Sequence, residues 1–327
     1  MPLSIPERRF APHSPALCLA LAPLFVLVAL ASPSLAQPAD PVALSVAYRV
    51  EADVTYLEAD GYESKLDLYV PRAPGEPRST LLYIHGGGWV GGTKEGASML
   101  FLPYLAAGWA VVNVEYRLAR TALAPAAVED VRCALRWVQS NADRYNLDPE
   151  RIVASGHSAG GHLALLAGML PASAGFDRRC PAAAVGTEAG RTDAAEPEMP
   201  VAAIVNWFGI TDVRDLLEGE NAKTYAVAWF GSMPDRMELA RRLSPLTWVR
   251  DGLPPVLTIH GDADDIVPHQ HGVRLHEALR AAGATSELVT VPGGSHGGFT
   301  VPEYQTAFRA IWQFLDEHVL VSPSGGP

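Results

Sequence analysis

Ser158 stands in the pentapeptide Gly156-His157-Ser158-Ala159-Gly160. The apolar, β-branched run Ile152-Val153-Ala154 precedes it, and Gly161-His162-Leu163-Ala164-Leu165-Leu166-Ala167, a good helix former, follows. A strand, a sharp turn and a helix in that order would lift the hydroxyl clear of a sheet edge. The helix start would place unpaired N–H groups beside it, where negative charge is favoured. A serine hydroxyl is a weak nucleophile until a base takes its proton, and histidine suits that task near neutral pH. Of the ten histidines, His157 and His162 lie too close along the turn to reach back. His260, His269, His271 and His276 gather near one acidic loop and read as surface residues. His296 follows a strand inside Gly293-Gly294-Ser295-His296-Gly297-Gly298 and is the expected base. The base needs a carboxylate to fix its tautomer. Asp262, Asp264 and Asp265 all follow a strand, and spacing alone does not separate them.

A second glycine cluster, His85-Gly86-Gly87-Gly88-Trp89, closes the apolar run Thr80 to Ile84. Consecutive glycines cost backbone entropy and usually serve a special conformation or a close approach. The bland reading is a flexible loop. The sharper one is a set of exposed N–H groups for the oxyanion of an acyl transfer. His85 reads as a structural hydrogen-bonder.

These residues need a frame that brings distant loops to one edge. Val46 to Leu57 and Lys65 to Val70 alternate as half-buried strands around an Asp60-Gly61 hairpin turn. From residue 80 onward strands and helices alternate, which predicts a mostly parallel sheet with helices on both faces and the hairpin as an antiparallel edge. Helices are expected at about 95–107, from Pro125 to about Tyr145, at about 270–283 and from about Glu303 to Val319. In the second of these, Val128, Val131, Leu135 and Val138 form a core stripe, and Glu129, Asp130 and Arg132 read as its solvated or ion-paired face. Residues 171–200 read as a long surface loop, and 211–249 as an irregular, partly helical insertion. Trp89, Trp207, Trp229 and Phe230 are candidates for a substrate-pocket wall, against a simple packing role.

Residues 1–36 read as an export signal: Arg8 and Arg9, an apolar stretch from Ala16 to Ala31, and Ser34-Leu35-Ala36 as the cleavage site. Residues 37–327 then form a single domain preceded by a loose tail. The apolar stretch is short for a membrane span of ~20 residues, so no lasting anchor is expected. A net charge of −11 makes nucleic acid and anionic membrane poor partners. Cys133 and Cys180 remain after the signal. In an exported chain they are expected to pair, and neither has metal-ligand spacing.

Together the motifs resemble the α/β-hydrolase superfamily. More narrowly the chain is similar to the secreted esterase and lipase branch related to hormone-sensitive lipase, carboxylesterases and bacterial feruloyl or acetylxylan esterases. The likeness spans roughly residues 54–316. It rests on His85–Trp89, Glu115-Tyr116-Arg117-Leu118, Gly156–Gly161, Ser295-His296-Gly297 and His260-Gly261-x-x-Asp264-x-x-Val267-Pro268. It implies an α/β-hydrolase fold with the catalytic set Ser158, Asp264 and His296. The implied oxyanion hole is the N–H groups of Gly87, Gly88 and Ala159, and neither metal nor cofactor takes part. Little but a hairpin precedes the glycine loop, whereas the hormone-sensitive-lipase group carries a helical cap there. The implied reaction is hydrolysis of small-molecule or polymer-attached esters. The competing readings are an amidase of kynurenine-formamidase type, whose family shares a His-Gly-Gly-x-Trp loop, and a non-catalytic binding protein on the same fold. The acyl group, the alcohol and the oligomeric state are not readable from the sequence.

Overall fold

The computed structural model describes residues 40–181 and 198–320. The export signal, its cleavage site and residues 182–197 of the expected surface loop lie outside them. Eight strands form one mixed sheet: β1 (Tyr48–Ala59), β2 (Tyr62–Pro71), β3 (Arg78–Ile84), β4 (Ala110–Val114), β5 (Leu147–His157), β6 (Ala203–Trp207), β7 (Val256–Gly261) and β8 (Ser286–Val291). Their order is β1-β2-β4-β3-β5-β6-β7-β8. β1 and β2 pair antiparallel, as do β2 and β4, and the remaining pairs are parallel. The hairpin turn is made by Asp60 (φ 53°) and Gly61 (φ 78°). Positive φ at both central residues gives the turn whose twist matches the strands it joins.

Nine α-helices accompany the sheet among the described residues: α1 (Pro41–Ala47), α2 (Leu102–Ala106), α3 (Ala126–Ser140), α4 (Ala142–Tyr145), α5 (Ala159–Met169), α6 (Thr224–Phe230), α7 (Arg236–Arg242), α8 (Gln270–Ala281) and α9 (Val301–Leu315). The two-residue period of a strand sends neighbouring side chains to opposite faces. Leu82, Val112, Ala154 and Ile204 pack into a core with α3, α5 and α8. Leu81, Val111, Val153 and Val205 pack into another with α2 and α9. The six parallel strands, β3 to β8, point their C-terminal ends at one edge, where the loops meet.

Three expectations change. Val46 and Ala47 end helix α1 instead of opening a strand. That helix takes in residues 41–43, the end of the expected loose tail, with Pro41 in its first turn and Asp40 accepting the Val42 N–H at 2.9 Å. Asp130 and Arg132 are fully buried, not solvated. Asp130 is gripped by Arg117, whose Nη2 and Nε donate at 2.7 and 3.0 Å to its Oδ1. Arg132 donates to both carboxylate oxygens of Asp177 at 2.7 and 2.6 Å. His260 and His271 are buried as well, not at the surface. The Val128–Val131–Leu135–Val138 stripe is core as expected. A disulfide joins Cys133 to Cys180, next to the Arg132–Asp177 pair, so a covalent and an ionic tie fix the start of the long loop on α3.

Candidate active site

Ser158 sits between β5 and α5 with φ 56° and ψ −122°, a strained backbone for a residue with a side chain. The turn needs glycine at 160 because a Cβ there would collide with the carbonyl oxygen of Ile84 on β3. The Ser158 N–H donates to the Trp207 carbonyl at 2.9 Å, which ties the turn to β6. Its side chain is nearly closed off from solvent.

His296 enters from the loop between β8 and α9. Its Nε2 lies 2.9 Å from Ser158 Oγ and its Nδ1 lies 2.7 Å from Asp264 Oδ2. With Nδ1–H donating to the carboxylate, the lone pair on Nε2 faces the hydroxyl. Asp264 Oδ1 accepts the N–H groups of Ile266 and Val267, each at 2.9 Å. Burial alone would raise the Asp264 carboxyl. The hydrogen bonds from His260 and His296 outweigh it and hold the group below the usual carboxylate range. Of the competing aspartates, Asp262 accepts the Gly293 N–H at 2.6 Å and so builds the turn, while Asp265 offers only its carbonyl, to Lys223.

The glycine loop after β3 is shaped from two sides. Gly87 has φ 118°, and a Cβ there would strike the Gly91 carbonyl. The Gly86 N–H donates to His157 Nε2 at 3.3 Å, so the Nδ1–H of that ring points to the Tyr83 hydroxyl, 3.1 Å away. From below, the Tyr116 hydroxyl donates to the His85 carbonyl at 3.1 Å, and its ring stacks on the His85 ring at 4.4 Å. Arg117 anchors that support to Asp130. Among the described residues no acceptor pairs the N–H groups of Gly87 and Gly88. The Ala159 N–H opens α5, where a helix has no partner for it.

A family profile named BD-FAE matches residues 66–279, more than half of the chain. The chain belongs to the BD-FAE family. This BD-FAE chain is also 30% identical over 246 residues to Esterase LipQ of Mycobacterium tuberculosis, covering 72% of itself and 54% of LipQ. It spans about half the length of the first curated relatives it matches. Its fold is similar to a carbohydrate esterase from gut microbiota in truncated form, with TM-score 0.65 and 28% identity over 82% of this chain and 97% of that one. It is equally similar to a thermophilic esterase of the planctomycete Thermogutta terrifontis with propionate bound, at TM-score 0.65, 28% identity, 86% and 97% coverage. The fold is that of the α/β-hydrolase esterases.

Around the BD-FAE serine the aromatic residues divide. Trp89, Trp229 and Phe230 are fully buried. Trp89 stacks on Trp229 at 4.2 Å, and its Nε1–H donates to His162 Nδ1 at 3.2 Å. They support the glycine loop from inside the core and do not line the cavity beside the serine. Trp207 does line it. That cavity, of about 480 Å³, is walled by Trp207, Phe208, Tyr304, Phe308, Met99 and Pro103, with His157 and His296 at its inner end. Phe208, at φ 38°, packs edge-on to His296 with ring centres 4.7 Å apart. Sequence reasoning missed Phe208, Tyr304 and Phe308, because no local pattern marks them. It also missed His260, whose Nε2 is 2.9 Å from the Val267 carbonyl and 3.3 Å from Asp264 Oδ2. The His-Gly-x-x-Asp spacing was the available signal.

Proposed function

We propose that the chain is a serine-dependent carboxylic ester hydrolase that works through an acyl-enzyme. The observation that carries this reading is the unbroken line Asp264–His296–Ser158, at 2.7 and 2.9 Å; the N–H groups of Gly87, Gly88 and Ala159 are the oxyanion donors in this reading. Ser158 Oγ adds to the ester carbonyl while His296 Nε2 takes its proton. The carbonyl oxygen gains negative charge against the three N–H groups. His296 returns the proton to the alcohol oxygen as the carbon–oxygen bond breaks, and the alcohol departs. Water then attacks the acyl-serine, giving its proton to His296, and the acid and free serine are restored. Asp264 stays ionised throughout and stabilises the imidazolium. Every proton and leaving group is accounted for by these residues and water.

The relatives support the ester side of the reading, since those named above are esterases. Propionate in the Thermogutta esterase favours short acyl groups as substrates here. The Cys133–Cys180 disulfide suits an oxidising compartment and so supports export. No helix among the described residues is long and apolar enough to cross a membrane.

The test is turnover of p-nitrophenyl acetate beside N-formylkynurenine, with Ser158→Ala as the control. The ester should turn over, and Ser158→Ala should fold yet lose about 10⁴-fold or more in kcat. Retained turnover in Ser158→Ala would remove the serine mechanism. Preference for the formamide would favour the amidase reading, and no turnover of either would favour a binding protein.

A further inference from the structure

We propose that the cavity beside His296 is the leaving-group pocket and takes an apolar, ring-sized alcohol joined to a short acid. The assignment rests on the ester-hydrolase reading and adds the side of the ester on which the bulk belongs.

The proton path sets the geometry. The proton that His296 removes from Ser158 must be handed to the departing oxygen, so that oxygen lies on the His296 flank of the tetrahedral carbon. The cavity wall contains both His296 and Gly297. A group carried by the departing oxygen therefore enters this space. Once the Ser158–carbon bond has formed and the carbon–alkoxy bond has broken, the protonated alcohol leaves past Met99 and Leu100. These lie 73% and 39% exposed at the rim.

The wall selects what fits. Its volume of about 480 Å³ accommodates a ring, and most of the surface is aromatic or aliphatic. Most polar atoms on it are already engaged: Tyr83 with His157 at 3.1 Å, His157 with the Gly86 N–H, and the Tyr304 hydroxyl with the Gly297 carbonyl at 2.9 Å, which leaves the Trp207 indole N–H as a donor without a hydrogen-bond partner among the described residues. A sugar-like alcohol, with several hydroxyls to satisfy, would lose its water for too few partners there, which is costly, whereas an apolar ring gains by burial. The glycine loop, by contrast, is crowded. The Tyr225 ring presses on Gly88, so that a Cβ at that position would come within 2.9 Å of it. Trp89 and Trp229 stack close by. That crowding favours a short acid.

Benzyl acetate and methyl phenylacetate test the assignment. They are isomers with the same atoms and the same ring, on the alcohol side in one and the acid side in the other. The two alcohols are of similar acidity. We expect kcat/KM to favour benzyl acetate by about ten- to a hundredfold, the scale on which a pocket discriminates by shape and burial. Equal values or the reverse order would overturn the assignment. Phe308→Trp, which fills the cavity, and Leu100→Trp at its exposed mouth should each lower the ratio of benzyl acetate to methyl acetate turnover. An unchanged ratio in a folded variant would also overturn it. Hydrolysis of p-nitrophenyl acetate without preference within the pair sinks the pocket alone. Failure to hydrolyse any of these esters sinks the hydrolase reading and the pocket with it.

Discussion

Behind the glycine loop, Trp89, Trp229, Phe230 and His162 pack ring against ring with no side chain exposed. Across the serine, Trp207, Phe208, Tyr304 and Phe308 stand around empty space. Both groups are aromatic, both flank one nucleophile, and each holds a histidine adjacent to it. The difference lies in what closes them. The first is sealed by α5, which supplies His162, and by α6, whose Trp229 stacks on Trp89 of the loop and packs edge-on to Phe230. The second lies between α9 and the segment Glu95–Ala106, which touch where Tyr104 meets Phe308 and Trp312 and leave a cavity rimmed by the exposed Met99 and Leu100. Rings on the sealed side pack against the glycine loop, whereas rings on the open side are the ones free to meet a substrate in the proposed pocket. Aromatic content alone says nothing about which task a side chain has.

The comparison breaks if the two sides respond alike to truncation. Trp229→Ala removes a fully buried ring from a filled cluster and should cost about 3–5 kcal/mol of folding stability. Phe308→Ala enlarges a space that already exists and should cost only about 1 kcal/mol or somewhat more, because fewer packing contacts are lost there. Denaturant melts of both variants measure this. Equal losses would mean that the cavity wall is as much a structural core as the stack.

The same contrast explains which parts were legible beforehand. Ser158, the glycine loop and His296 each sit in a short motif at a strand end, where type and spacing say what the backbone must do. The sheet was legible because apolar runs of strand length alternate with helical stripes. Asp264 was not separable from Asp262 and Asp265 by spacing, and only the family likeness singled it out. Its Oδ2 faces His296, while Asp262 faces Gly293. Asp130 and Arg132 were left between a solvated and an ion-paired face because their partners Arg117 and Asp177 are distant in sequence; the ion pairs decide it. The cavity was invisible for a like reason. Met99, Trp207, Tyr304 and Phe308 come from separate elements, and an empty volume leaves no mark on any one of them.

The two histidines give an effect that both sides share. His162 lies within the stack and His157 on the cavity wall, and burial lowers each to about 4. As pH falls, the unfolded chain, with histidines near ~6.5, binds protons first. Stability is therefore full above pH ~6.5 and is lost progressively on the way to about 4, at up to about 1.4 kcal/mol per pH unit for each ring. Melting temperatures from pH 8 to 4 should fall across that window. His157→Gln should reduce the slope. A slope unchanged by that variant would place the whole acid sensitivity elsewhere, His162 included.

Tyr304→Phe is the finest probe, because it changes a polar contact without changing the shape of the cavity. The Tyr304 hydroxyl donates to the carbonyl of Gly297 at 2.9 Å, directly after His296. Gly297 has φ 72°, and a Cβ there would lie 3.0 Å from the Phe208 ring. The base is thus held by Phe208 on one side and by this hydrogen bond behind it. Losing the bond removes about 0.5–1.5 kcal/mol. If that energy holds His296 in line with Ser158, it appears as a fall of about two- to tenfold in kcat on p-nitrophenyl acetate. KM should change little, since the ring still fills its place in the wall. A raised KM with unchanged kcat would assign Tyr304 to the wall alone, and the open side of the comparison would then owe nothing to positioning the base.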